Sequence, residues 1–131
     1  MNIALIAHDR KKEMLVQFCI AYSKTFSQYS LCATATTGRL ITEATGLSIS
    51  CVSSGVQGQE QIGARIPYNE IDLVIFFRDP LSSPPHERGM ELIRLCDLHS
   101  IPIATNIATA EVLIQGLMRG DLNWRNIMTS T

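Results

Sequence analysis

The chain has 131 residues, a net charge of −1, 46% hydrophobic residues and 18% charged residues. That describes one ordinary domain with enough length for a full core, and its charge argues against nucleic acid or an anionic membrane as a partner. The apolar runs are too short to span a bilayer. Met1-Asn2 leads straight into Ile3-Ala4-Leu5-Ile6 with no basic region or cleavage site, which predicts a cytoplasmic chain. Cys19, Cys32, Cys51 and Cys96 are scattered through apolar segments, and with three separated histidines they match no zinc spacing. They read as small buried hydrophobes in a reducing compartment, and no metal is predicted.

The first element is Ile3-Ala4-Leu5-Ile6-Ala7, a continuous apolar run that marks a strand buried on both faces. His8-Asp9-Arg10-Lys11-Lys12 reads as a polar turn. Met14, Leu15, Phe18, Cys19, Tyr22 and Phe26 then recur at helical spacing and predict one amphipathic helix. A second strand runs from Ser30 to Ala33 and opens into a turn, Thr34-Ala35-Thr36-Thr37-Gly38. A short helix from Arg39 to Ala44 follows, stopped by Gly46. Leu47 to Val52 is a third strand, Ser53 to Gln59 a polar loop with two glycines, and Glu60 to Ile66 a short helix. Pro67 and Asn69 mark a turn. Leu73-Val74-Ile75-Phe76-Phe77 is the clearest central strand, β-branched and aromatic with no interior charge. Arg78-Asp79-Pro80 ends it, and Ser82 to His86 forms a stiff loop. Met90, Leu92, Ile93 and Cys96 define a helix, Ile101 to Ala104 a fifth strand with its proline near the start, and Thr105-Asn106 a loop. Thr109 is the expected cap of a last helix carrying Val112, Leu113, Ile114 and Leu117. His99 reads as structural, and the placement of Trp124 and Arg125 stays open.

Strands alternating with helices predict an α/β fold over residues 1–131: a mostly parallel five-stranded sheet flanked by helices. Ligands of such sheets bind beyond the carboxyl ends of the strands. That rim collects His8, Asp9, Lys12, the threonine turn, Ser54, Gly55, Asp79, His86, Thr105 and Asn106. Three threonines and a glycine at the start of a helix suit a phosphate, because the first N–H groups of a helix lack partners and the dipole favours an anion. The plainer reading is that Thr36 or Thr37 only caps the helix, that Asp9 only complements a helix dipole, and that Lys12 is solvated. Neither a dinucleotide glycine fingerprint nor a G-x-x-x-x-G-K-[ST] loop is present. The residues alone therefore point to a small phosphorylated metabolite.

The chain also resembles the methylglyoxal synthase family along nearly its whole length. The resemblance rests on Ile3-Ala4-Leu5-Ile6-Ala7-His8-Asp9 with Lys12, on Ala33-Thr34-x-Thr36-Thr37-Gly38, and on Ser54-Gly55. It continues through Asp72 to Leu81, Pro85-His86 and Ile103-Ala104-Thr105-Asn106. It implies conversion of dihydroxyacetone phosphate to methylglyoxal and inorganic phosphate, no metal or organic cofactor, a homohexamer, and inhibition by phosphate. Residue by residue, it implies that Lys12, Thr34, Thr36, Thr37, Ser54 and Gly55 hold the substrate phosphate, with the Ala35 backbone in the same loop. It implies that His8 contacts substrate, that His86 polarises the substrate's oxygens, and that Asp9 and Asp79 are acidic residues of the active site.

Two stretches depart from the family pattern. The family loop reads S-G-P-x-G-G-D-Q-Q, and its aspartate is the catalytic base. Here Ser54-Gly55-Val56-Gln57-Gly58-Gln59-Glu60-Gln61-Ile62 is one residue shorter. Counting from Ser54 puts Glu60 at the base position, and counting back from Ile62 puts Gln59 there. We expect Glu60. The family run H-[DE]-P-D is His86-Glu87-Arg88-Gly89 here, so a second aspartate is missing. The expected function is a lyase whose base position is altered. The alternative is a non-catalytic sensor of phosphate or a phosphorylated metabolite, because one fold serves both tasks.

Overall fold

The computed structural model describes residues 1–82 and 90–125. The predicted proline-rich loop beyond Ser82, including His86 and the altered run after it, lies outside the described residues.

The strands are β1 (Asn2–Ala7), β2 (Ser30–Thr34), β3 (Ile49–Val52), β4 (Leu73–Phe77) and β5 (Ile103–Ala104). The helices are α1 (Lys12–Ala21), α2 (Ser23–Phe26), α3 (Ala35–Thr45), α4 (Gly55–Gly63), α5 (Met90–Leu98) and α6 (Ile107–Arg119). The sheet order is β3-β2-β1-β4-β5, and every pairing is parallel. Parallel neighbours need a crossover of a dozen or more residues, and here a helix fills each one.

Alternation along the strands divides the core into two layers. Ile3, Leu5 and Ala7 of β1 and Leu73, Ile75 and Phe77 of β4 face α1, α3 and α6. Ala4 and Ile6, with Val74 and Phe76, face α4 and α5. A strand covered on both sides has no polar face, which is why β1 and β4 read as unbroken apolar runs. Phe76 is fully buried, and truncating such a side chain to alanine costs about 3–5 kcal/mol.

Several boundaries differ from expectation. The predicted long helix breaks at Tyr22 (φ −113°, ψ 24°) into α1 and α2. Phe18 and Phe26 still meet in one layer, ring centroids 6.0 Å apart, so apolar spacing passes through the bend unaltered. β3 begins at Ile49, because the Leu47 N–H donates to Thr45 Oγ1 and leaves the ladder. β5 begins at Ile103, the Ile101 N–H being bonded to the Cys96 carbonyl. Asn106, not Thr109, caps α6: its Oδ1 accepts from the Thr109 N–H at 3.0 Å. Gly46 does end α3.

Cys19, Cys32 and Cys96 are buried as expected, but Cys51 is exposed on the edge strand β3. Burial pushes the Cys19 and Cys96 thiols up to about 12, so neither forms thiolate near neutrality. Burial raises Cys32 as well, with the Arg65 guanidinium pulling the other way. Among the described residues no helix is long and apolar enough to cross a membrane.

Candidate functional site

An all-parallel sheet carries every strand's carboxyl end to one edge. The chain winds from β1 out to β3 on one side and from β4 to β5 on the other, so the connections diverge between β1 and β4. A crevice forms at such a switch point. A cavity of about 500 Å³ opens there, within the usual size range of small-molecule sites. The exit of β1 contributes His8, Asp9, Arg10 and Lys12 to its wall, β2 Thr34 and Thr36, β3 Ser54, Gly55, Val56 and Gln59, and β4 Asp79, Leu81 and Ser82.

The start of α3 and the start of α4 both reach this wall. They come from opposite layers and are tied together: Thr36 Oγ1 and Ser54 Oγ lie 2.9 Å apart, and the Thr36 N–H donates to Ser54 Oγ at 3.2 Å. Thr34 and Ser54 occupy the N-cap positions, yet neither side chain caps its own helix. At the same sheet edge Asn106 does cap α6. Capping is the ordinary way to satisfy first-turn N–H groups; α3 has the Thr36 N–H met by Ser54 from the neighbouring helix start, and the Ser54 side chain makes no such bond to α4. Gly55 enters α4 with φ +68°, a left-handed conformation open to glycine and strained for side chains carrying a Cβ.

Lys12 Nζ donates to the Ala7 carbonyl at 2.8 Å and to Asp9 Oδ1 at 2.9 Å. An ammonium has three donors, so one remains beyond those two bonds. The carbonyl that ends β1 thus holds the cation at the cavity wall. The Lys12–Asp9 pair adds little stability by itself, because the Asp9 side chain is fully exposed.

His8 is oriented from behind. The backbone N–H of Asp79 donates to His8 Nδ1 at 2.7 Å. A backbone N–H can only donate, so Nδ1 must accept, and the neutral ring carries its hydrogen on Nε2. His8 is therefore a hydrogen-bond donor at Nε2 by construction. Asp79 is buried. Its Oδ1 accepts from the Leu81 N–H at 2.9 Å, and its carbonyl accepts from Ser82 Oγ at 2.9 Å.

The cavity thus gathers His8, Asp9, Lys12, Thr34, Thr36, Ser54, Gly55 and Asp79. It leaves out other expected residues. The predicted threonine turn is already helix: α3 starts at Ala35, because β2 runs on through Thr34 and the chain turns into the helix there. Ala35 is the first residue of α3 and does not line the wall. Thr37 is fully buried, and its Oγ1 has no hydrogen-bond partner among the described residues. Gly38 serves packing rather than a ligand, since a Cβ there would lie 2.6 Å from Cys51 Sγ and 3.2 Å from Ala33 Cβ.

Glu60 and Gln59 are placed differently by α4. Glu60 is exposed and does not line the cavity; Gln59 does. Core anchors set the phase of α4. A Cβ on Gly58 would lie 1.8 Å from the Ser53 carbonyl oxygen, and Ile62 is fully buried. Gln61 also accepts from the Ser53 N–H at 2.8 Å and donates to Ser53 Oγ at 3.2 Å. With Gly58 and Ile62 facing inward, Gly55, Val56 and Gln59 turn to the cavity at helical spacing. Reading Ser53 to Gln59 as a loop hid this. Arg10, a second cation at the wall, was hidden in a stretch read only as a polar turn.

The chain matches the family model described as MGS-like domain over residues 14–105. It is 61% identical over 130 residues to a methylglyoxal synthase of Caldicellulosiruptor saccharolyticus, covering 98% of this chain and 92% of that one. It is 57% identical over 129 residues to a methylglyoxal synthase of Thermoanaerobacter pseudethanolicus, covering 97% and 98%. The chain belongs to the methylglyoxal synthase family. A crystal structure of the methylglyoxal synthase from Elizabethkingia anophelis NUHP1 superposes with a TM-score of 0.80 at 40% identity, over 86% of this chain and 76% of that one. The five-stranded parallel architecture is thus that of the methylglyoxal synthase family, and the cavity stands at its switch point.

Proposed function

We propose that this protein is a methylglyoxal synthase: a carbon–oxygen lyase that converts dihydroxyacetone phosphate to methylglyoxal and inorganic phosphate through an enediolate. The observation that carries the reading is the pair of helix starts at one cavity, joined through Thr36 and Ser54, with neither N-cap side chain bonded to its own helix. The first turns of two helices, two hydroxyls, the Gly55 backbone and Lys12 suit a phosphate dianion. The same groups favour the phosphate as it leaves, when its charge grows.

The reaction also needs a base beside the carbonyl and a donor to the enediolate oxygen. His8 suits the donor role, because the Asp79 N–H holds its Nε2 hydrogen in place before substrate arrives. His86 is proposed as a second donor on its motif alone. The base is a carboxylate. The chain needs no metal or organic cofactor in this scheme, works as a homohexamer in the cytoplasm, and is inhibited by its product phosphate.

The direct test gives purified protein dihydroxyacetone phosphate and follows both products. Methylglyoxal and phosphate released in equal amounts support the reading. Binding of inorganic phosphate with no methylglyoxal formed overturns it in favour of a sensor.

A further inference from the structure

The site pairs an amide on one wall with a carboxylate on the other. We infer that Asp79 takes the substrate proton in this chain, and that Gln59 of α4 holds the reacting end of the substrate by hydrogen bonds without accepting the proton. The inference rests on the lyase reading above.

Geometry narrows the choice of base. Among the described residues the carboxylates at the cavity wall are Asp9 and Asp79. Asp9 is fully exposed at its side chain and paired with Lys12 Nζ at 2.9 Å. Its carboxylate is thus already engaged by water and a cation. Asp79 is only 8% exposed, and Oδ1 is tied to the Leu81 N–H while Oδ2 carries no hydrogen bond among the described residues. Its backbone N–H positions His8. Asp79 and His8 are thus parts of one rigid unit at the cavity wall, and a base held in place reacts faster than a mobile one. The opposite wall presents Gln59, because Gly58 against the Ser53 carbonyl and Ile62 in the core prevent α4 from turning Glu60 inward. A carboxamide donates and accepts hydrogen bonds but takes no proton at neutral pH.

The C–H bond of the hydroxymethyl carbon breaks, its proton goes to Asp79 Oδ2, and its electron pair forms the enediolate. The terminal hydroxyl then becomes the aldehyde, and its proton passes to phosphate. The double bond shifts to the methylene carbon as the carbon–oxygen bond to phosphate breaks, and phosphate leaves with the pair. The enolate regains one proton at that carbon through solvent and becomes methylglyoxal, while Asp79 returns its proton to solvent.

The test compares Asp79→Asn, Glu60→Gln and Gln59→Leu with wild type in three readouts: turnover of dihydroxyacetone phosphate, uptake of deuterium from solvent into unconverted substrate, and the rise in Tm with inorganic phosphate. Asp79→Asn keeps an oxygen for the Leu81 N–H. It is expected to lose about 10²–10⁴-fold in kcat and to lose deuterium uptake, with the phosphate response intact. Glu60→Gln is expected within about twofold of wild type in both rate and uptake, since an exposed side chain outside the site does not enter the mechanism. Gln59→Leu is expected to raise KM about tenfold, the size of one lost hydrogen bond to substrate. If Glu60→Gln abolishes turnover, or Asp79→Asn turns over like wild type, the inference falls and the lyase reading stands. If wild type itself makes no methylglyoxal, the lyase reading falls and takes the inference with it. Should Asp79→Asn fail to fold, Glu60→Gln still decides.

Discussion

The two ends of the sheet treat polar groups in opposite ways. At the amino end Asp72, just before β4, is buried and fully engaged. Its Oδ2 accepts from the Asn2 N–H at 2.8 Å, and its Oδ1 from Arg125 Nε at 3.3 Å. Arg125, 4% exposed, also donates to the Ser100 carbonyl at 3.0 Å and lies 5.7 Å from the Trp124 ring. There the protein supplies every partner itself. At the carboxyl end it brings two helix starts and Lys12, whose ammonium keeps a donor beyond its two bonds, to one cavity. The contrast separates groups that hold the fold from groups that wait for a ligand. It also settles where Arg125 belongs, which spacing alone left open: it clasps the amino end.

The largest expected effect lies at the amino end. Arg125→Ala strands a buried carboxylate and should cost about 3–5 kcal/mol, seen in denaturant unfolding and as a fall in Tm of roughly 10 °C or more. Phosphate binding per folded molecule should not change. A loss below about 1 kcal/mol would make the pair an ordinary surface contact and erase the contrast. A smaller effect belongs to the carboxyl end. At about a hundred times its Kd, phosphate should stabilise the wild type by about 2.7 kcal/mol, and Lys12→Ala should lose much of that gain while its stability without phosphate stays close to normal. An unchanged phosphate response in Lys12→Ala would remove the lysine from the cradle. The smallest effect sharpens the picture within one edge. Asn106→Ala uncaps α6 and should cost about 1 kcal/mol with the phosphate response intact. A weakened response would mean that α6 takes part in the site.

Much of this was legible in the chain. The apolar runs of β1 and β4 announce strands covered on both faces, and the order of strands and helices places the site at one rim. Helix phase was not legible. Spacing from Ser54 and spacing from Ile62 disagree by one residue, and only packing shows which side chain faces the cavity. Gly58 against Ser53 and Ile62 in the core favour the second count, so Gln59 faces the cavity where Glu60 was expected. The threonines mislead for a related reason. Thr34, Thr36 and Thr37 look equivalent in a turn, but at a helix start each points in its own direction, and Thr37 goes into the core. The Thr109 cap failed more simply, since Asn106 stands three residues earlier with a better acceptor for the same N–H.

The bond between Thr36 and Ser54 has a mechanical consequence. α3 grips one apolar layer of the sheet and α4 the other, through Ile41 and Ile62. An anion held at both helix starts would act as a rivet through the rim, reinforcing the Thr36–Ser54 tie between layers that the sheet otherwise separates. Loosening either layer should then weaken the grip on phosphate from a distance. Phosphate, in turn, should slow amide hydrogen exchange in the first turns of both helices together, as one opening event rather than two.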